Sequence, residues 1–316
     1  MHKCNSKRIL FDRFAAILAI LAAASFDYGI RIWMLAGIAA AVSVLSEYLC
    51  LMIQKKPFSA EHLDAGVTGL VLLLMLPPTV PVSLVIMSCI FTIIIGRAMF
   101  GGKENPVIPP AALGYCFCLL NSRVQTVSFP AGKGTLPLFD IDSTMLEDGI
   151  SMLWNRSGRF SVSVMEWLTG LPKQPIGSSS IVLLIAVAAV LIVRRSASGW
   201  VVIPAMAALI AGNLAISNLQ HPAAYVIGSC LTNQAMFSVL FVHADPDYAP
   251  PTIAGIAYGL AVGFVSFFAE RVLFICDAPI LLAVLLSPFM IWIRRMMLLY
   301  EDVPETGWER GHLHEA

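Results

Sequence analysis

The feature that most constrains this chain is a pair of apolar runs that meet at three prolines within five residues. The first run, residues 63–76, holds about fourteen strongly apolar residues, whereas a simple membrane-spanning helix needs roughly 20. It ends at Pro77 and Pro78, and a second apolar run follows Pro81. Such an arrangement is typical of helices that break at a site inside a membrane protein. Two ordinary spans joined by a proline turn are the alternative.

Apolar runs recur along all 316 residues, and this excludes an ordinary soluble domain. Hydrophobic residues make up 58% and charged residues 13% of the chain, whereas globular proteins carry about 25% charged residues. The formal net charge is zero, so nothing indicates nucleic-acid binding. The seven cysteines show no Cys-x-x-Cys motif and no metal-ligand spacing, which predicts buried thiols. An iron–sulfur site shared with a partner subunit is the alternative.

The spacing of the apolar runs predicts ten transmembrane helices. They cover residues 14–26, 32–53, the two runs beside the prolines, 107–120, 179–193, 200–217, 223–242, 251–268 and 278–293. Ten spans place both termini on one side of the membrane. Thirteen of the twenty Lys and Arg residues then share that side, which the positive-inside tendency identifies as the cytoplasm. The long polar segment, residues 121–178, is predicted to be extracytoplasmic, and the first span is predicted to be retained rather than cleaved.

The two halves of the chain show the same proline pattern. Pro77-x-x-x-Pro81 follows the third span, and Pro246-x-x-x-Pro250 follows the eighth, which runs in the opposite direction. We therefore predict an all-α polytopic membrane protein, with about ten transmembrane helices arranged as two inverted five-helix repeats with broken helices. The predicted units are residues 1–120, an outer loop 121–178, residues 179–294 and a cytoplasmic tail 295–316. Chance spacing among nineteen prolines is the alternative explanation.

An ordered set of short motifs follows the first proline cluster. It consists of Leu76-Pro77-Pro78, Gly96-Arg97, Phe100-Gly101-Gly102, Asn105-Pro106 and Pro110-Ala111. This set resembles the membrane core of the RnfD/NqrB family, the flavin-bearing subunits of Rnf and sodium-pumping quinone-reductase complexes. The resemblance implies a subunit of an ion-translocating oxidoreductase (translocase) in the bacterial inner membrane. Partner subunits would supply iron–sulfur centres and oxidise a cytoplasmic substrate.

The same resemblance implies a covalent flavin on the outer loop. In the family a threonine hydroxyl of this loop forms a phosphodiester with FMN, and Thr144 is the matching candidate, with Ser143 as its nearest substitute. Trp154 and Trp167 are candidates for stacking on the flavin ring. The family's Ser-Gly-Ala is missing before Thr144, and Met145 stands in place of the usual proline. A flavin-attaching enzyme, and a second, non-covalent flavin, are further expectations.

Polar residues near the proline clusters are predicted to line an ion or ligand pathway, because broken-helix ends expose free carbonyls and helix dipoles. The predicted pathway residues are Pro77, Pro78, Asn105, Asp245 and Pro246. A solvated cytoplasmic turn is the alternative for Asp245. Three other carboxylates lie near span ends, where we expect interfacial solvation: Glu47, Asp64 and Asp277.

No motif of a soluble enzyme competes with this interpretation. The chain has no Gly-x-Gly-x-x-Gly, P-loop, Gly-x-Ser-x-Gly or His-Glu-x-x-His sequence. The main rival is a channel or small-solute transporter similar to urea transporters, whose five-plus-five inverted fold the family resembles, but without flavin. A scaffold subunit of an extracytoplasmic flavin-transfer system is a third possibility.

Overall fold

The structure is a computed structural model, and it describes most of the chain. The described residues are 2–100, 107–130, 132, 134–139, 146–148, 174–216, 234–246, 249–250, 252–273, 275 and 277–301. Within these ranges the chain forms eleven α-helices and one two-stranded antiparallel sheet. The predicted all-α class is confirmed.

The elements follow one another in chain order. The first half contains α1 (His2–Tyr28), α2 (Arg31–Ile53), α3 (Asp64–Met75), α4 (Val82–Ile93, continued by a π-helical turn at Ile94–Met99) and α5 (Pro110–Asn121). The connecting segment contains α6 (Arg123–Val127), β1 (Ser128–Pro130) and β2 (Leu146–Asp148). The second half contains α7 (Ile181–Val193), α8 (Gly199–Ile216), α9 (Ala235–Ser238, continued by a π-helical turn at Val239–His243), α10 (Thr252–Val272) and α11 (Ala278–Glu301). Short 3-10 turns lie at Ala60–Leu63 and Ile176–Ser178.

Helix length and composition agree with a multi-pass membrane protein. Four segments of the described residues are long and apolar enough to cross a bilayer: Lys7–Tyr28, Arg31–Ile53, Val82–Met99 and Ala254–Val272. Five further apolar helices are shorter: Asp64–Met75, Pro110–Asn121, Ile181–Val193, Gly199–Ala215 and Ala278–Phe289. The number of spans and the boundaries of the two repeats stay predictions.

The proline cluster breaks the helix as predicted. Helix α3 ends at Met75, Leu76 is extended (φ −90°, ψ 157°), and α4 begins only after Pro81. A residue that precedes proline is forced out of the helical region, and proline itself has no N–H to donate. We call residues 76–81 the first break, and residues 244–251, between α9 and α10, the second break.

Glycines allow close helix packing in both halves. A Cβ added to Gly259 of α10 would lie 2.5 Å from the carbonyl oxygen of Val201 in α8. A Cβ added to Gly69 of α3 would lie 2.8 Å from the carbonyl oxygen of Ala39 in α2. Small residues at such crossings let helix backbones approach one another within a membrane. These two helix pairs form the frames that carry the breaks.

The most deeply buried region lies where the two halves meet. The backbone N–H of Ile176 donates to the carbonyl of Leu76 at 3.1 Å. A Cβ on Gly177 would lie 2.6 Å from the ring of Phe237 and 2.9 Å from the carbonyl oxygen of Leu74. The short turn Ile176–Ser178 is therefore packed between the end of α3 and the α9 segment.

Candidate functional site

A buried arginine holds the first break. Arg31, the first residue of α2, is fully buried. Its guanidinium donates to the carbonyls of Pro78 (3.0 Å), Val80 (2.8 Å), Pro137 (2.7 Å) and Leu138 (2.7 Å). The planar fork of arginine suits several acceptors at once. The carbonyls at the break therefore have charged partners, as buried backbone groups require.

The connecting segment between the halves covers the first break. The hydroxyl of Thr79 donates to the carbonyl of Ser128 at 2.7 Å. The backbone N–H of Leu136 donates to the carbonyl of Tyr28, at the end of α1. Strand β1 pairs with β2, which begins at Leu146. The described part of this segment is thus anchored on the end of the bundle that carries the first break.

A short ion pair holds the second break. Arg13 of α1 lies 2.8 Å from Asp245, and its guanidinium also donates to the carbonyl of Phe241 at 3.0 Å. The two charged side chains are 11% and 12% exposed. The 2.8 Å distance is that of a closed, charge-assisted hydrogen bond. Asp245 is therefore an ion-paired residue within the protein and not part of a solvated turn.

The residue next to Arg13 ties the α7–α8 connection to the same end of α1. Asp12 pairs with Arg194 at 2.8 Å and accepts a hydrogen bond of 2.6 Å from the hydroxyl of Ser196. The hydrogen bond from its guanidinium to Asp12 raises the pKa of Arg194. The backbone N–H of Ser198 donates to the carbonyl of Ala244. The α7–α8 connection, α1 and the second break thus form one hydrogen-bonded unit.

A buried histidine fixes the end of the α9 segment. The ring Nε2 of His243 lies 2.8 Å from the carbonyl of Pro279, and Nδ1 lies 2.7 Å from the hydroxyl of Tyr258. A carbonyl can only accept, so Nε2 carries the proton. In the neutral ring Nδ1 then accepts from Tyr258. His243 therefore links the second break to α10 and α11.

A looser charged cluster lies in the first half. Arg97, in the π-helical turn that ends α4, lies 3.4 Å from Glu47 and 3.4 Å from Asp64. The side chains of Arg97 and Glu47 are 6% and 7% exposed, and that of Asp64 is 20% exposed. Glu47 is thus buried beside a cation, which differs from the interfacial solvation expected from its place near a span end. Its partner lies fifty residues away in the sequence, so only the fold reveals the pairing.

The contacts of Arg97 are not closed. A tight pair between a guanidinium and a carboxylate has a distance of about 2.7–2.9 Å, and both measured distances exceed it. Neither Nε nor Nη2 of Arg97 makes a well-formed hydrogen bond in the part of the chain that the structure describes. Gly96, the neighbour of Arg97, packs against Pro110, where an added Cβ would lie 3.1 Å from its Cα. Two of the motifs noted in the sequence therefore meet at this cluster.

Asp277 lies outside the helices, just before α11. Burial raises the pKa of its carboxyl, while the nearby hydroxyl of Tyr115 and the charge of Arg123 lower it. The carboxyl is thus shielded from water by α5, although its position next to a span end predicts solvation.

The structure places the predicted pathway residues in two separate groups. Pro77 and Pro78 lie in the first break with Arg31, and Asp245 and Pro246 lie in the second break with Arg13. Fifteen residues of α1 separate Arg13 from Tyr28, which is about 22 Å along the helix axis. The two breaks therefore lie near opposite ends of α1. The remaining predicted residues lie outside the described part of the chain: Asn105, Ser143, Thr144, Trp154 and Trp167.

Sequence reasoning missed four residues that anchor or charge this region. Arg13 and Arg31 bear on the sequence predictions only through topology, and His243 and Tyr258 have no role in them. A charged side chain inside or beside an apolar run is costly in a bilayer, so it marks a partner or a functional site. That signal is present for both arginines. The pairing of His243 with Tyr258 has no comparable signal.

Comparison with known proteins places the chain in a family. Residues 2–295 match the model of the NQR2, RnfD, RnfE family. A protein of Citrobacter koseri, named as the RnfD-type subunit of an ion-translocating oxidoreductase complex, is 36% identical over 110 residues. These residues cover 34% of this chain and 30% of that protein.

Proteins with the same name match from two other organisms. The one from Ectopseudomonas mendocina is 36% identical over 81 residues (26% of this chain, 24% of the relative), and the one from Escherichia coli is 31% identical over 128 residues (40% and 36%). The matched segments thus span about a quarter to about a third of the length of these relatives. The family match, in contrast, covers most of the chain, and the predicted resemblance is confirmed. The chain belongs to the NQR2, RnfD, RnfE family.

Proposed function

We propose that this chain is a membrane subunit of an ion-translocating oxidoreductase complex that passes electrons through bound flavin. The name shared by its relatives supports the assignment to such a complex. The structural observation that carries the proposal is the open ion pair between Arg97 and Glu47 within apolar helices.

The proposed role of Glu47 follows from the cost of charge in a bilayer. A carboxylate buried among apolar helices is unfavourable unless it is paired or serves an ion pathway. The contact with Arg97 is longer than a closed hydrogen bond, so the carboxylate keeps oxygen lone pairs for another partner. A small cation is the partner that a carboxylate attracts. Glu47 would alternate between Arg97 and the translocated cation, which is a proton or a metal ion such as sodium.

The proposed flavin site is on the segment that covers the first break. Thr144 would hold FMN through a phosphodiester, with Ser143 as the alternative hydroxyl and Trp154 and Trp167 stacked on the ring. These residues lie outside the described part, but their flanks fit a tethered flavin. Residues 136–138 are anchored on the first break, and β2 begins two residues after Thr144. The bound flavin would supply reversible electron transfer at this end of the bundle.

Intact-mass measurement of the purified chain tests the flavin. The protein must come from cells whose flavin-attaching enzyme is active. We expect a mass increase of one FMN less one water, which Thr144→Ala removes and Ser143→Ala retains. An unmodified wild-type chain from such cells would exclude the covalent flavin and favour a flavin-free channel or a carrier with non-covalent flavin only.

We further propose that both termini are cytoplasmic and that residues 121–178 lie outside the inner membrane of a bacterial cell. The charge asymmetry along the sequence supports this orientation. A cysteine introduced at Ser157 should react with a membrane-impermeant thiol reagent in intact cells, and one at Thr306 should not. The reverse pattern would place the proposed flavin segment on the wrong side for this function.

A further inference from the structure

An open cavity of about 860 Å³ lies between the α7–α8 connection and the second break. Its walls are mostly apolar and include Trp200, Ile203 and Pro204 of α8, together with Pro250 and Ile256. One charged residue, Arg195, also lines it. A pocket with an apolar wall and one cation suits a ligand with a long apolar part and a single anionic group.

Arg195 has a different environment from its neighbour. Arg194 pairs with Asp12, whereas no acidic side chain contacts Arg195 in the described ranges of the chain. Arg195 is exposed, has φ 57°, and its backbone N–H donates to the carbonyl of Ile192 as α7 ends. The guanidinium therefore stands at the wall of the cavity with its hydrogen-bond donors available.

The cavity continues onto the outer surface of α8. Trp200 is 56% exposed and Ile203 is 64% exposed, although both belong to an apolar helix. Tryptophan is enriched where membrane proteins meet the lipid headgroups. The apolar wall therefore opens toward the acyl chains, and Arg195 lies at the level of the headgroups.

We propose that this cavity binds an anionic phospholipid of the leaflet that faces the α7–α8 connection. The lipid phosphate contacts Arg195, and one acyl chain lies along Trp200, Ile203 and Ile256. Basic pockets between helices on the cytoplasmic side of membrane proteins bind anionic headgroups in this way. The N-terminus of α8 lines the same cavity and adds a favourable dipole. Because the lipid would also touch Pro246 and Pro250, it would brace the second break. This inference does not depend on the electron-transfer function.

Competition between two lipids tests the proposal. The purified protein in detergent is mixed with equal amounts of phosphatidylglycerol and phosphatidylcholine that carry the same acyl chains, and the adducts are counted by native mass spectrometry. We expect phosphatidylglycerol adducts to exceed phosphatidylcholine adducts about fivefold, the preference that one basic residue near the headgroups provides. Equal binding of both lipids by the wild-type protein would overturn the proposal.

Three variants locate the site. Arg195→Gln should abolish the preference. Lys55→Gln should retain it, because Lys55 has the same left-handed conformation (φ 56°) and the same exposed position after a helix but does not line the cavity. Ala249→Phe, which fills the cavity and leaves Arg195 in place, should reduce the number of phosphatidylglycerol adducts. An unchanged preference in Arg195→Gln, or unchanged adducts in Ala249→Phe, would contradict this location.

Discussion

Two buried ion pairs of this protein differ in how completely they are closed. Arg13 and Asp245 lie 2.8 Å apart, and Arg13 has an additional carbonyl acceptor in Phe241. Arg97 and Glu47 lie 3.4 Å apart, and Arg97 keeps unused donors within the described chain. All four side chains are almost inaccessible to solvent. The closed pair is suited to hold the second break, and the open pair is suited to exchange partners with an ion.

Local helix geometry accompanies both pairs. Arg97 lies within the π-helical turn Ile94–Met99, and Asp245 follows the π-helical turn Val239–His243. Such turns widen a helix locally and occur often at functional sites. In the second half His243 and Tyr258 add neutral hydrogen bonds beside the pair, so that end is more strongly constrained. This contrast predicts that mutations at the two pairs separate stability from ion transport.

The largest loss of stability is expected at the first break. Arg31→Met retains the length of the side chain but removes the donors to four carbonyls, so we expect unfolding to be easier by on the order of 3–5 kcal/mol. Chemical unfolding in detergent micelles measures this loss. Arg195→Met, an exposed arginine, is the control and should change little. A change at Arg31 no larger than that of the control would show that the break does not need its cation.

An intermediate loss is expected at the closed pair. Arg13→Met and Asp245→Asn should each destabilise the protein by about 2–3 kcal/mol, because each leaves a buried polar partner without its counterpart. The double variant should lose less than the sum of the two, with a coupling energy of about 1–3 kcal/mol. Additive losses would mean that the 2.8 Å contact contributes no energy to the folded state.

The smallest loss is expected at the open pair. Glu47→Gln should reduce stability by about 1 kcal/mol or less, because the pair is not closed and the isosteric amide keeps the packing. Unfolding under the same conditions as for Asp245→Asn gives the direct comparison. A loss at Glu47 equal to that at Asp245 would remove the distinction between the two pairs.

The broken helices could be predicted from the sequence because proline acts locally. Pro77, Pro78 and Pro81 exclude a continuous helix whatever the rest of the chain does, and the structure begins α4 directly after Pro81. The family could likewise be recognised from ordered short motifs. Apolar run lengths also predicted the helical class, since a bilayer fixes the length of a span.

The charge pairs could not be predicted, because their partners are distant in the sequence. Arg31 contacts Leu138, and Arg13 contacts Asp245, so both depend on how the helices pack. The predicted pathway role of Asp245 stays a prediction, and its closed pair supports an anchoring role. Glu47 was expected to be solvated because position along a span says nothing about which helix covers it.

Coupled ion transport by the reconstituted complex tests the central claim most directly. The complex that contains this chain is placed in sealed vesicles, electron transfer is started with its donor, and uptake of protons and of sodium is followed in parallel. We expect the wild-type complex to accumulate one of these ions and Glu47→Gln to keep electron transfer while losing most of that uptake. Ion uptake by Glu47→Gln equal to that of the wild type, or solute flux that needs no electron donor, would contradict the account.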